Sequence, residues 1–182
     1  MISHRSARGP APGIYRAWVA IGANLGAAQE TVLAAIQQLC PLGLVAHSSL
    51  YRSAPQDATG PDFINAVAVL DTRVDALHLL HQLQAIEDQF GRQRPYRHAP
   101  RTLDLDLLLH GATLLHSEQL TLPHPRLHQR AFVLLPMLEL APGLQVPGLG
   151  SLASWLRSVQ NQNIHRLDTP APTILPSNRR DP

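Results

Sequence analysis

The chain has 182 residues and a mass of 19.9 kDa, which predicts one domain with a modest remainder. Its 45% hydrophobic and 15% charged residues exclude an intrinsically disordered chain, and its formal net charge of +2 is too small to indicate wholesale nucleic-acid binding. All 15 basic residues are arginine, so the chain lacks the lysine amine that a Schiff-base enzyme or a Gly-Lys-Ser/Thr P-loop requires.

The first two thirds of the chain predict four strands and two helices. Apolar runs that end at turn residues predict strands over 15–21, 44–51, 63–70 and 103–109. Apolar residues at helical spacing predict amphipathic helices over 27–39 and 74–90. The order strand, helix, strand, strand, helix, strand is typical of a ferredoxin-like α/β (α+β) sandwich, which has one antiparallel sheet with helices on one face.

The remainder of the chain predicts a helical extension with free ends on either side of the domain. We expect helices over 128–140 and 151–159. The N-terminal segment 1–13 is polar and the segment 168–182 is polar and Pro-rich, so we expect both to be flexible. The domain is therefore predicted to span 14–167.

The single cysteine, Cys40, excludes an intrachain disulfide and a Cys-cluster zinc site, and it fits a reducing compartment. Segment 1–13 lacks the apolar stretch of a signal peptide, and no run of about 18 apolar residues is present to span a bilayer. We therefore expect a cytoplasmic protein without a membrane partner.

Two aspartates, Asp104 and Asp106, open the last predicted strand. Residues two apart on a strand share a face, with Cα atoms about 7 Å apart, and this spacing suits two carboxylates that share metal. A bare Asp-x-Asp pattern more often marks a solvated acidic face. Here Leu108 continues the same face of an apolar strand, and two ionised carboxylates would repel each other without a cation. Mg²⁺ binds carboxylate oxygens and keeps several water ligands, so the pair predicts a Mg²⁺ site.

Four arginines precede this pair within ten positions: Arg92, Arg94, Arg97 and Arg101. By themselves they fit a solvated basic loop as well as a binding site. Guanidinium groups bind phosphate oxygens through paired hydrogen bonds, and bound metal neutralises the remaining charge. Next to the two aspartates, the cluster favours a polyphosphate site.

The segment 97–108 resembles the signature of the 6-hydroxymethyl-7,8-dihydropterin pyrophosphokinase family of the folate pathway. Segments 20–26, 49–55, 61–66 and 123–133 resemble further motifs of that family in the same order, so the resemblance covers roughly 18–142. It implies that 14–167 is a single pyrophosphokinase domain that transfers the β,γ-pyrophosphoryl group of ATP to the hydroxymethyl oxygen of the pterin and releases AMP. The implied partners are these two small molecules, without nucleic acid, and the implied state is a monomer.

The resemblance also implies residue roles. Asp104 and Asp106 would hold two Mg²⁺ ions, and Arg92 and Arg101 would act with them in catalysis by gripping phosphates. The positions that match ATP contacts are Gln84, Glu87, Arg94, His98, Leu107, Thr121, His124 and Arg130. Those that match pterin contacts are Ser53, Ala54, Gln56, Phe63, Asn65 and Phe132, with the two phenylalanines stacking on the heterocycle. Without the resemblance, the two phenylalanines would more often be core residues, and Asn65 could bond a neighbouring backbone group.

Other functions remain open at this point. An Asp-x-Asp pair also fits another two-metal enzyme on such a sheet, such as a nucleotidyl transferase or cyclase. A relative that binds ATP without transfer is a further possibility, although both aspartates are present. An RNA-binding module is disfavoured, because the arginines cluster at one loop and aromatic residues at RNP-like positions are missing. Pterin dependence distinguishes these functions.

Overall fold

The computed structural model of the chain describes residues 13–55, 60–91 and 102–168. The predicted flexible ends lie outside these ranges, except for Gly13 and Asp168. Within the described ranges, no helix combines the length and the apolar character needed to cross a membrane.

Ten strands and three α-helices make up the described chain. The strands are β1 (Tyr15–Ala23), β2 (Leu44–His47), β3 (Tyr51–Ser53), β4 (Phe63–Thr72), β5 (Asp104–His110), β6 (Leu115–His116), β7 (Thr121–Leu122), β8 (Gln145–Val146), β9 (Gly150–Ser151) and β10 (Ile164–Arg166). The α-helices are α1 (Ala28–Gln38), α2 (Ala76–Gln89) and α3 (Ala131–Leu140), and short 3₁₀ helices cover Cys40–Leu42, Leu127–Gln129 and Leu152–Val159.

One antiparallel sheet organises the domain, with the strand order β10-β3-β4-β1-β5 and with β2 also paired to β4. The fold is therefore α+β, as predicted. β1 lies between β4 and β5, so residues of the first strand face partners on both sides. The hairpins β6–β7 and β8–β9 form two further small sheets that the sequence did not predict.

Both faces of the sheet are covered. Ala17, Val19 and Ile21 of β1 pack under α1 and α2, whereas Trp18 and Ala20 face α3 and the 3₁₀ helix Leu152–Val159. This alternation explains why β1 reads as an almost continuous apolar run. The prediction placed helices on one face only; the elements after β7 cover the second face, because its side chains are apolar as well.

Two predicted elements are interrupted. The strand predicted over 44–51 is divided into β2 and β3, since Ser48 bonds β4 with its side chain as well as its backbone: the Val67 N–H donates to Ser48 Oγ at 3.0 Å. The helix predicted over 128–140 is divided at Arg130, whose backbone is extended (φ −122°, ψ 114°). Arg130 therefore immediately precedes the first turn of α3. This break in the predicted helix places the charged side chain of Arg130 near β5.

Candidate active site

Asp104 and Asp106 lie on β5 with their side chains on the face that α3 covers. Leu105 and Leu107, which alternate with them, are buried under α1 and α2. Both aspartates are half-buried, and the side chain of Asp106 is 35% exposed. The predicted strand and the shared face are confirmed, so the two carboxylates project together from the end of a buried strand.

The floor between the aspartates and β4 is made of small residues of β1. Ala20 pairs with Asp106, and Gly22 pairs with Asp104 on one side and with Asn65 on the other. A Cβ atom added to Gly22 would lie 3.4 Å from Asn65 Oδ1. Neither Ala20 nor Gly22 has a side chain large enough to fill the space above the sheet. The predicted metal residues on β5 and the predicted pterin residue Asn65 on β4 are therefore separated only by the width of β1.

Asn65 is buried on β4, and its amide has a defined orientation. Nδ2 donates to Ser53 Oγ at 3.0 Å, and it lies 3.5 Å from the backbone oxygens of Tyr51 and Phe63. Oδ1 is directed to the Gly22 side. Ser53 is also buried, while Phe63 is half-buried beside the same glycine. The fold thus brings Ser53, Phe63 and Asn65 together, as the pterin assignment requires. Ala54 follows at the end of β3, where its N–H donates to the Asn163 carbonyl at 3.3 Å.

Arg130 connects the start of α3 to the aspartate pair. Its Nη1 lies 3.4 Å from Asp106 Oδ2, and its Cζ lies 5.4 Å from the ring centroid of Phe132. Burial lowers the pKa of Arg130, and the charge of Asp106 opposes that shift. Phe132 packs at the margin of the core on the α3 face. A predicted ATP contact and a predicted pterin contact therefore lie side by side.

His124 lies along the outer edge of β5, where its N–H donates to the Leu108 carbonyl at 2.9 Å. Its Nδ1 accepts from the Arg126 N–H at 3.2 Å, so the neutral ring carries its proton on Nε2. Burial lowers the pKa of His124; Asp106 opposes the shift, while Arg130 and Arg126 add to it. The ring is consequently neutral near pH 7 and offers a hydrogen-bond donor at Nε2.

Gln84 and Glu87 approach β5 from the α2 side, the opposite side of the sheet from the aspartate carboxylates. Glu87 is 2% exposed, and its Oε1 accepts from the Leu105 N–H at 2.9 Å, so it supports the edge strand. Gln84 is half-buried one turn earlier. A ligand that contacts these residues as well as Asp104 must pass around the edge of β5.

The remaining predicted ATP contacts fall into two groups. Leu107 is buried in the core, so only its backbone is left for contact with a nucleotide. Thr121 is half-buried on β7, with Oγ1 3.4 Å from His116 Nδ1. The other two predicted ATP contacts, Arg94 and His98, lie outside the described residues. So do the pterin residue Gln56 and the catalytic residues Arg92 and Arg101, and the roles of all five stay predictions.

Two residues that bond α3 to remote parts of the chain were not singled out from the sequence. Gln162 caps α3: its Oε1 accepts from the Ala131 N–H, and its Nε2 donates to the Gln129 carbonyl, both at 2.7 Å. Glu139 accepts hydrogen bonds from Ser49, 90 positions earlier. No local pattern could reveal either residue, because each partner is remote in the chain.

Comparison with known proteins identifies close relatives over most of the chain. The model of the family 7,8-dihydro-6-hydroxymethylpterin-pyrophosphokinase matches residues 18–142, which is the extent that the sequence motifs predicted. A Pseudomonas aeruginosa protein named 2-amino-4-hydroxy-6-hydroxymethyldihydropteridine pyrophosphokinase is 45% identical over 158 residues, covering 85% of this chain and 98% of its own length. The Haemophilus influenzae protein of the same name is 39% identical and covers 84% and 98%.

Solved structures share the fold at low sequence identity. The crystal structure of Plasmodium falciparum HPPK-DHPS, wild type with SDX-DHP, matches with a TM-score of 0.65 and 13% identity. The match covers 79% of this chain and 44% of that longer chain. At this identity the likeness supports the α+β fold alone.

Proposed function

Because the chain belongs to the 6-hydroxymethyl-7,8-dihydropterin pyrophosphokinase family, we propose that it transfers pyrophosphate from ATP to the hydroxymethyl group of 6-hydroxymethyl-7,8-dihydropterin, a step in folate biosynthesis. One observation carries the assignment of the site. Asp104 and Asn65 face the same side of the sheet and flank Gly22 from opposite strands. This arrangement places a carboxylate pair for phosphates next to an amide for a polar heterocycle.

We also assign the domain, 14–167, to a ferredoxin-like arrangement with an added helical extension. The strand order β3-β4-β1-β5, antiparallel throughout, supports this assignment, as do α1 and α2 on one face. The extension comprises α3 and the 3₁₀ helix Leu152–Val159 on the other face.

Asp104 and Asp106 are the residues that would hold Mg²⁺, and we assign them two ions. Their donor set fits: both are hard oxygen ligands, half-buried, on one face. The described residues contain no group of three or more His, Cys, Asp or Glu placed to hold a metal. Water and phosphate oxygens would complete the coordination, as is usual for Mg²⁺. When bound, the metal supplies neutralisation of the charge on the triphosphate.

The residues around the carboxylates would orient the triphosphate. Arg130 offers a guanidinium beside Asp106, and His124 offers a neutral Nε2–H donor. Arg92 and Arg101 are assigned to the same phosphates from outside the described ranges. In phosphoryl transfer, positioning and charge stabilisation provide most of the rate acceleration, so donors on rigid elements such as the start of α3 are suited to this chemistry.

The pterin would lie over the β1 floor, between Asn65 and the aspartates. Asn65 Oδ1 would accept hydrogen bonds from the polar edge of the heterocycle, and Phe63 and Phe132 would contact its faces. The hydroxymethyl oxygen would then bond to the β-phosphorus of ATP. The bond from that phosphorus to the α,β-bridging oxygen breaks, the hydroxyl proton is released, and AMP leaves.

The test is AMP formation by the purified chain with ATP and Mg²⁺, in the presence and absence of 6-hydroxymethyl-7,8-dihydropterin. We expect AMP only with the pterin and in equal amount to the pterin diphosphate. Pyrophosphate release or AMP formation without the pterin would favour another two-metal enzyme. ATP binding without any AMP would favour a non-catalytic relative.

We propose a cytoplasmic monomer as the working state of the enzyme. Free, exposed Cys40, the single cysteine in the sequence, supports a reducing compartment. Light scattering during size-exclusion chromatography measures the mass, and a value of twice 19.9 kDa would contradict the monomer.

A further inference from the structure

Glu139, near the end of α3, is a largely buried carboxylate with an unusually complete set of partners. Its side chain is 12% exposed. Oε1 accepts from Ser49 Oγ at 2.6 Å, and Oε2 accepts from the Ser49 N–H at 3.1 Å and from the Tyr51 hydroxyl at 3.0 Å. Arg166 Nη1 lies 3.5 Å from Oε1. The carboxylate therefore joins α3 to Ser49, within the break between β2 and β3, and to Tyr51, the first residue of β3.

The partners of Glu139 lead directly to the proposed pterin residues. Tyr51 and Ser53 are two apart on β3 and share a face. Asn65 donates to Ser53 Oγ at 3.0 Å and pairs with Tyr51 across the strands. Any shift of β3 relative to α3 therefore moves the hydroxyl that orients the Asn65 amide.

The helix face that carries Glu139 also carries Phe132. The two residues are seven positions apart on α3, a spacing that returns a side chain to the same face after two turns, about 10 Å along the axis. Both side chains pack against the same side of the sheet. Glu139 thus bonds β3 to the same face of α3 that carries Phe132.

We infer that Glu139 is a positioning residue for the pterin, holding Phe132 on α3 at a set distance from Ser53 and Asn65. This inference rests on the proposed placement of the pterin. A carboxylate is needed because three donors, from Ser49 and Tyr51, converge on its two oxygens, and an amide has a single acceptor oxygen. Among the residues that the structure describes, Glu139 contacts none of those proposed to hold phosphate or metal, so its effect is expected on the pterin.

The test uses Glu139→Gln in the full chain, with steady-state kinetics for both substrates. We expect the KM for the pterin to rise about tenfold, the equivalent of roughly one lost hydrogen bond, while the KM for ATP changes less than about twofold. Tyr51→Phe, which removes one donor and no charge, is expected to raise the pterin KM about threefold.

Asp71→Asn is the matched control. Asp71 is a partly buried carboxylate that accepts two 2.9 Å hydrogen bonds from Arg16, at the end of β4 away from Asn65. The Asp71→Asn substitution is expected to lower the Tm of the protein without changing its KM for the pterin. A Glu139→Gln protein with a lower Tm and unchanged pterin KM, or with both KM values raised equally, would overturn the inference.

Two further outcomes distinguish failure of this inference from failure to fold and from failure of the proposed function. If Glu139→Gln does not fold, Tyr51→Phe decides, and an unchanged pterin KM in that variant rejects the positioning role. Wild-type protein that forms no AMP with the pterin refutes the proposed function itself, whereas an active wild type with no KM split in the variants refutes only the role of Glu139.

Discussion

Arg130, which precedes α3, lies with its Nη1 3.4 Å from Oδ2 of Asp106 on β5. The side chain of Arg130 is 18% exposed, so solvent screens this pair only in part. One of the two carboxylates assigned to Mg²⁺ therefore faces a cation. A metal ion held by Asp106 would therefore have to compete with Arg130, and phosphate oxygens of a bound nucleotide would give the guanidinium another partner.

Arg130→Gln is expected to affect metal and nucleotide in opposite directions. Removal of the competing cation should raise the affinity for Mn²⁺ alone roughly threefold, since a like charge beside the site is lost. The loss of a charge-assisted hydrogen bond should raise the KM for ATP at least about tenfold. Titration calorimetry with Mn²⁺ and steady-state kinetics measure the two effects.

Arg16→Gln is the control for that variant, because it removes an arginine paired with Asp71 on the opposite part of the sheet. Neither Mn²⁺ affinity nor the KM for ATP should change. Weaker Mn²⁺ binding by Arg130→Gln would contradict the competition.

Asp104→Ala and Asp106→Ala are each expected to lower kcat on the order of a thousandfold, because metal stabilisation of the triphosphate is worth several kcal/mol. The fold should remain, since both side chains are partly exposed at the end of an edge strand. Circular dichroism checks the fold, and AMP formation checks the rate. Near-normal turnover in either variant would refute the two-metal assignment.

Gly22→Val tests the floor between the strands. A Cβ at this position would lie 3.4 Å from Asn65 Oδ1, so the added methyl groups of valine would enter the space assigned to the pterin. We expect the KM for the pterin to rise roughly tenfold or more, the usual scale of overpacking, while ATP binding changes little.

Gly143→Val serves for comparison, because a Cβ there meets no atom within 4 Å. Its pterin KM should equal that of the wild type. An unchanged pterin KM in Gly22→Val would place the pterin elsewhere.

Alkaline unfolding tests the contact between Tyr51 and Glu139. Burial, the Glu139 charge and the hydrogen bond to Glu139 raise the pKa of Tyr51 above its ordinary value of 10.0. Above that pH the unfolded chain has released the tyrosine proton and the folded chain still holds it. This contribution to stability is therefore complete below pH 10 and declines as the pH rises above it.

Urea unfolding at about pH 9 and about pH 11 measures this loss, which Tyr51→Phe should reduce. The chain has no lysine, so no side-chain ammonium group titrates in this window. Equal losses in wild type and variant would refute the shift.

Local patterns were sufficient for the order of the elements and for the aspartate pair. Periods of two and of about 3.6 residues depend on neighbouring positions alone, so β1, β4, β5, α1 and α2 follow from the sequence within a few residues. The same period of two places Asp104 and Asp106 on one face without reference to the rest of the chain. The resemblance of the motifs supplied the family, because it spans 18–142 in order.

Tertiary structure decided the rest. The contact of Ser49 with Glu139, 90 positions away, and the position of Gly22 between Asn65 and Asp104 depend on which strands become neighbours. The division of the strand predicted over 44–51 also depends on a contact with β4, through the hydroxyl of Ser48. Pairing and packing between remote segments are properties of the assembled sheet, and no periodicity along the chain encodes them.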